Sequence, residues 1–138
     1  MTIINEKFNI NTQGFTDIID ITRNVQNYVY KHSIKDALIV AYVGGSTASL
    51  TTIEFEPGLL EDLPQALERI APTNIDYAHD ATWNDGNGYA HVRASIIGNS
   101  ISIPLIDGAL QLGTWQQVVL IDFDNKARTR TVYLQIIY

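Results

Sequence analysis

The 138-residue chain contains no cysteine, which excludes disulfides, thiolate zinc sites and a cysteine nucleophile and leaves any metal to His, Asp, Glu or backbone oxygens. Charge is scarce too: 17% of residues are Asp, Glu, Lys or Arg, against about 25% in an average soluble domain. Part of the surface is therefore expected to be covered. Bases are outnumbered, nine against fifteen acids for a net charge of −6, which disfavours any sequence-independent grip on a polyphosphate backbone and argues against nucleic acid as a partner. Long apolar runs are missing as well. The longest, Ala37 to Val43, is far short of the ~20 residues that span a bilayer, so no membrane segment is expected. The start, MTIINEKFNI, has no basic region leading into an apolar stretch and small-residue cleavage site, so a cytoplasmic location is expected. With no internal repeat and no Pro- or Ser-rich linker, residues 1–138 read as a single domain.

What is present alternates between two periods. Phe8 and Ile10 alternate with Asn9 and Asn11 as in a half-buried strand. From Thr16 to Ser33, Ile18, Ile21, Val25, Tyr28 and Val29 recur at helical spacing, with Thr16 as cap, Asp17 and Asp20 in the first turn and Lys31 and His32 in the last. Ala37–Val43 reads as a strand buried on both faces and Thr47–Phe55 as the next strand. A second helix spans about Leu59 to Ile70; Pro64 requires a start nearer Asp62, and Ala71-Pro72 ends it. Residues 73–88 lose all periodicity and read as a functional loop. Ala90–Ile97, Ser100–Leu105, Leu110–Phe123 and Thr129–Ile137 read as four strands. Two helices cannot serve as crossovers for so many strands. The expected class is α+β: a mainly antiparallel β-sheet sandwich with two helices.

The chemistry-bearing residues concentrate around the polar loop. His79 and His91 flank it, and with Asp80, Asp85 and Glu54 they offer borderline and hard ligands for a divalent ion, although their spacing matches no compact metal motif. His32 ends a helix and reads as a dipole partner. Asp85-Gly86-Asn87-Gly88 has its glycine too early and no closing glutamate for a calcium loop. Gly44-Gly45-Ser46-Thr47-Ala48 lacks the second glycine of a nucleophile elbow. The same run could offer N–H groups and hydroxyls to an anion, with Arg93 and Ser95 completing the subsite, or it is simply a tight hairpin turn. Trp115 reads as core packing, whereas Gln116, polar within an apolar run, needs a partner.

The run Ser46-Thr47-Ala48-Ser49, with Ile53-Glu54, Asp62-Leu63, Tyr77-Ala78-His79, Asn87-Gly88, Ala90-His91-Val92-Arg93-Ala94-Ser95, Asp107-Gly108, Leu112-Gly113-Thr114-Trp115-Gln116 and Asp122-Phe123, resembles the YjbQ (UPF0047) family in order and spacing. Its members are described as having secondary thiamine-phosphate synthase activity. The resemblance implies a homotrimer with pockets near subunit boundaries, which would account for the low charge. It implies joining of a pyrimidine methyl diphosphate to a thiazole phosphate with a divalent metal ion, zinc or magnesium. His79 and His91 match the family's histidines. They are expected to serve in catalysis with Glu54, and in metal binding with Asp80. Ser46, Thr47, Arg93, Ser95 and Gln116 are expected to bind the small phosphorylated metabolite, and Tyr77 or Trp83 to stack on the pyrimidine ring. Many members carry histidine where Ser46 stands here. The alternatives are a non-catalytic trimeric binder of a metal or small anionic metabolite and a phosphate-ester hydrolase.

Overall fold

Strict alternation produces the longest strand pair. In the computed structural model, which describes residues 1–138, β1 (Ile3–Thr12) pairs antiparallel with the C-terminal strand Arg128–Ile137, from Ile3 opposite Ile137 to Thr12 opposite Arg128. The other strands are β2 (Asp17–Asp20), β3 (Ala37–Val43), β4 (Ala48–Glu54), β5 (Ser100–Ile106), β6 (Ala109–Leu110) and β7 (Gln116–Asp122), so that Arg128–Ile137 is β8. They form a five-stranded sheet in the order β1-β8-β3-β5-β6 and a three-stranded sheet β2-β7-β4, with every pairing antiparallel.

Strand β7 organises three layers because both of its faces are apolar. Val118 and Leu120 join Ala48 and Leu50 of β4 in a core shared with Ile39, Ala41 and Val43 of β3 and Val132, Leu134 and Ile136 of β8. Helix α1 (Thr22–His32) closes that core with Val25 and Val29. On the other side, Val119, Ile121 and Phe123 pack against Leu67 of α2 (Pro57–Ile70) and Tyr89, Ala90 and Ala94 of α4 (Gly88–Ile97). The fold is α+β and mainly antiparallel, with four helices rather than two; α3 spans Ala78–Trp83. No helix is long and apolar enough to cross a membrane.

Several local readings are corrected. The segment after Thr16 is not helical: Asp17–Asp20 forms β2 on the edge of β7, and Thr16, with φ +63°, caps nothing. The helix begins only after Ile21. Ala90–Ile97 is a helix, not a strand, because Ala90, Arg93, Ala94 and Ile97 define one inward face at spacings of three and four. The cation at that face disguised it. The aperiodic stretch contains α3, and Leu110–Phe123 breaks into two short strands around an irregular segment where Trp115 stands 72% exposed, outside the core. Helix α2 starts at Pro57, where the Glu56 carboxylate accepts the Gly58 and Leu59 N–H groups, so Pro64 sits inside it at the loss of one backbone hydrogen bond. Strand β3 is buried on one face only, with Leu38 and Tyr42 exposed.

Candidate functional site

The site is built where α3 runs into α4. Asn84 (φ +55°) ends α3 in the left-handed region, and Gly86 (φ +67°) turns the chain toward Asn87, the residue before α4. Gly88 permits a close approach there: a Cβ on it would lie 2.5 Å from the Cβ of Tyr77. Its N–H donates to Asp80 Oδ1 at 2.8 Å, so a carboxylate from α3 caps α4. This junction brings His79 and His91 together, with ring centroids 4.0 Å apart. His79 Nδ1 lies 3.7 Å from Asp80 Oδ1 and 3.5 Å from Asp85 Oδ1. That nitrogen is buried and has no hydrogen-bond partner.

Under the junction lies a buried ionic network. Asp124 Oδ1 accepts from Asn87 Nδ2 at 3.1 Å and from the Asn125 N–H at 2.8 Å; its Oδ2 accepts from Thr47 Oγ1 at 3.0 Å and Arg128 Nε at 2.9 Å. Asp122 pairs with Arg130 through Nε at 2.6 Å and Nη2 at 2.8 Å, and also accepts from Thr12 Oγ1. Arg130 Nη2 donates to Thr47 Oγ1 as well, linking the two halves. Burial pushes the Asp124 carboxyl upward, but the donors Asn87, Asn125 and Thr47 and the Arg128 charge outweigh it and hold the group at about 2. The His91 imidazolium is disfavoured by burial and then by His79, against the pull of Asp85, Asp124 and Asp80, so its pKa falls below the usual histidine value.

The residues singled out in the sequence separate into three places. His79, His91, Asp80 and Asp85 converge. Ser46 and Ser95 line a cavity of about 400 Å³ with Tyr42, Gly45, Gly98 and Asn99, and Ser95, one helical turn beyond His91, donates to the His91 carbonyl. The others are elsewhere or already engaged. Thr47 is spent on Asp124 and Arg130. Arg93, 3% exposed, gives Nε and Nη2 to the Ala71 carbonyl, Nη1 to Thr16 and Nη2 to Glu68. Glu54 and Gln116 face each other at the far end of β4, about 20 Å along an extended strand from Ala48. Gln116 there finds its partners in Thr52 Oγ1 and the Gly113 N–H. The Tyr77 hydroxyl donates to the Pro72 carbonyl, and Trp83 is 71% exposed.

Asn87, Asp124 and Arg130 were not singled out as site residues. The signal was present for Arg130: it shares the inward parity of Val132, Leu134 and Ile136 on β8, and an inward arginine in an alternating strand demands a buried acid. For Asn87 no local signal existed, since its partner is 37 residues away.

Comparison with known proteins places this architecture among a set of relatives. The family model described as "UPF0047 protein YjbQ-like" matches residues 6–138. A UPF0047 protein of Archaeoglobus fulgidus is 37% identical over 126 residues, covering 91% of this chain and 95% of the relative. YugU of Bacillus subtilis, a UPF0047 protein, is 30% identical and covers 91% and 93%. Among solved structures, a YbjQ-like protein of unknown function from Sulfolobus solfataricus superposes with a TM-score of 0.91 at 27% identity, covering 99% of this chain and 97% of that one. A YjbQ/UPF0047 protein from Clostridium acetobutylicum superposes with a TM-score of 0.87 at 32% identity, covering 96% and 99%.

Proposed function

The chain belongs to the UPF0047 YjbQ-like family, and from its cation-ligand cluster, together with the activity that the family resemblance implies, we propose that it is a divalent-cation-dependent transferase acting as a secondary thiamine-phosphate synthase does. A bond forms between the thiazole nitrogen and the methylene carbon of the pyrimidine as the carbon–oxygen bond to diphosphate breaks. The observation that carries the reading is His79 Nδ1, buried and unpartnered beside two carboxylates. Donors about 2.1 Å from one ion at a tetrahedral angle lie about 3.4 Å apart, close to the 3.5 and 3.7 Å separations here. The separations of His79, Asp80 and Asp85 therefore suit zinc, while the two carboxylates are ligands of the kind magnesium takes, with His91 alongside. Such an ion would neutralise the leaving diphosphate.

The remaining work falls to the chain. A mostly neutral His91 is suited to accept or return a proton at its ring nitrogen. Ser46, Ser95 and Asn99 offer hydrogen bonds inside the cavity that Ser95, one helical turn beyond His91, helps to line. Arg93 is not assigned to phosphate, because its guanidinium is consumed by protein acceptors. The reading includes a homotrimer, supported by the outer face of the five-stranded sheet, where Leu38, Tyr42, Pro104, Tyr133 and Ile3 are exposed with Lys7, opposite Tyr133, as the charge beside them. A mass measurement in solution tests it.

A non-catalytic binder of a cation is the second reading, favoured by one fact: Arg93, Arg128 and Arg130 are all paired with carboxylates, leaving no free guanidinium beside the histidines. Single-turnover incubation with both substrates and zinc or magnesium separates the two. Diphosphate release that requires the ion and is lost in His79→Ala and His91→Ala supports the transferase; ion binding without release supports the binder.

A further inference from the structure

We propose that the side-chain oxygen of Asn87 faces the cation held by His79, Asp80 and Asp85, as a direct ligand or through one of the ion's waters. The inference deepens the cation-binding reading above and rests on it.

Asn87 occupies the position before α4, where an asparagine ordinarily accepts an N–H of the first helical turn. Here it makes no capping hydrogen bond. Asp80 takes the Gly88 N–H in its place, which releases the Asn87 amide from the usual duty. The amide is turned toward the interior, where Nδ2 donates to Asp124 Oδ1. Its other atom, Oδ1, is buried without a partner in a residue only 4% exposed.

The orientation is forced. Asp124 also accepts from Thr47 Oγ1, the Asn125 N–H and Arg128 Nε, so its oxygens are acceptors only. Flipping the amide would set oxygen against oxygen in a water-poor interior. Asn87 Oδ1 must therefore remain an acceptor, and a buried acceptor with no protein donor is satisfied by a water or by a bound group.

The neighbours decide the chemical class. Asp80 accepts the N–H of Gly88, the residue after Asn87, and the Asn87 main-chain carbonyl accepts the N–H of His91, so Asn87 belongs to the junction that holds the cluster. A second buried atom, His79 Nδ1, is equally unpartnered. Two carboxylates, an imidazole nitrogen and an amide oxygen share one property: each donates an electron pair. The cations of the neighbourhood, Arg128 and Arg130, are engaged by Asp124 and Asp122. An anion has nothing here to hold it, whereas a hard divalent cation suits carboxylate and carbonyl oxygens.

The test is isothermal titration of Mn²⁺ into the full chain and into Asn87→Ala and Asn87→Asp, with melting temperatures taken in metal-free buffer. Alanine removes the oxygen and is expected to weaken binding about 10- to 100-fold. Aspartate supplies a charged oxygen and is expected to bind at least as tightly as the unaltered chain, even though repulsion from Asp124 lowers its melting temperature. A purely structural Asn87 loses the same Nδ2 bond in both variants, so equal weakening in the two, or no weakening in either, overturns the proposal. In the unaltered chain the Asn87 side-chain amide resonance should shift on adding Mg²⁺; this readout needs no variant to fold, and an unmoved resonance likewise overturns the proposal. If the unaltered chain binds neither ion, the cation-binding reading itself fails and the role of Asn87 with it.

Discussion

The rings of His79 and His91 lie with centroids 4.0 Å apart and planes inclined by 36°. Burial is the larger penalty on a charged His91, and at that separation two imidazolium ions also repel. The folded pKa of His91 therefore lies below its unfolded value. Its contribution to stability is fully present above the ordinary histidine pKa and is lost as pH falls from there through the folded value. Histidine ring resonances should show His91 titrating below the usual range and moving upward in His79→Ala. An unmoved titration would show that the rings do not communicate.

Asp124 contributes to the acid sensitivity of the fold. Its pKa drops from 3.8 to about 2 on folding, so the stabilisation it supplies is present above 3.8 and is lost as pH falls toward 2. The shift corresponds to about 2 kcal/mol. Urea midpoints measured at pH 5 and near pH 2 should differ less in Asp124→Asn than in the unaltered chain. Equal differences would remove Asp124 from the acid transition.

Gly45 is required by its surroundings and its backbone together. Its φ is +120°, and a Cβ would lie 2.6 Å from Arg130 Nη1. Arg130 cannot swing away without abandoning Asp122 and Thr47. Gly45→Ala is expected to cost about 1–3 kcal/mol, read as a lowered melting temperature. A neutral effect would mean that the arginine network is slack.

Arg93 ties α4 to the end of α2 through the Ala71 carbonyl and Glu68, and it is expected to act as a structural tie rather than as a phosphate ligand. Arg93→Ala strips the buried Ala71 carbonyl of its donors and should destabilise by about 1–3 kcal/mol, whereas Glu68→Gln, at a half-exposed carboxylate, should cost less than 1 kcal/mol, as surface pairs do. A selective loss of phosphate-ligand affinity in Arg93→Ala, with stability intact, would reverse the assignment.

The sequence by itself determined a mainly antiparallel arrangement, because alternation marks β1, β5 and β8 locally and too few helical stretches are left to cross between parallel neighbours. It also marked His79, His91, Asp80, Asp85 and Glu54 as residues fit to bind a cation, of which Glu54 lies apart at the far end of β4. It could not separate strand from helix where one set of residues satisfies both periods: Val92, Ala94 and Ile96 alternate, while Ala90, Arg93 and Ala94 fall on one helical face. Only packing against β7 decided between them. Ile18 likewise fits a helix until the edge of β7 claims it as strand. The tertiary structure alone decided which polar residues were free for chemistry. Arg93 and Thr47 look available in one dimension and are exhausted in three, since their acceptors come from distant segments. Asn87 looks like an ordinary cap and is turned inward by a carboxylate 37 residues away. Hydrogen-bond satisfaction is a property of the folded interior, and no local pattern encodes it.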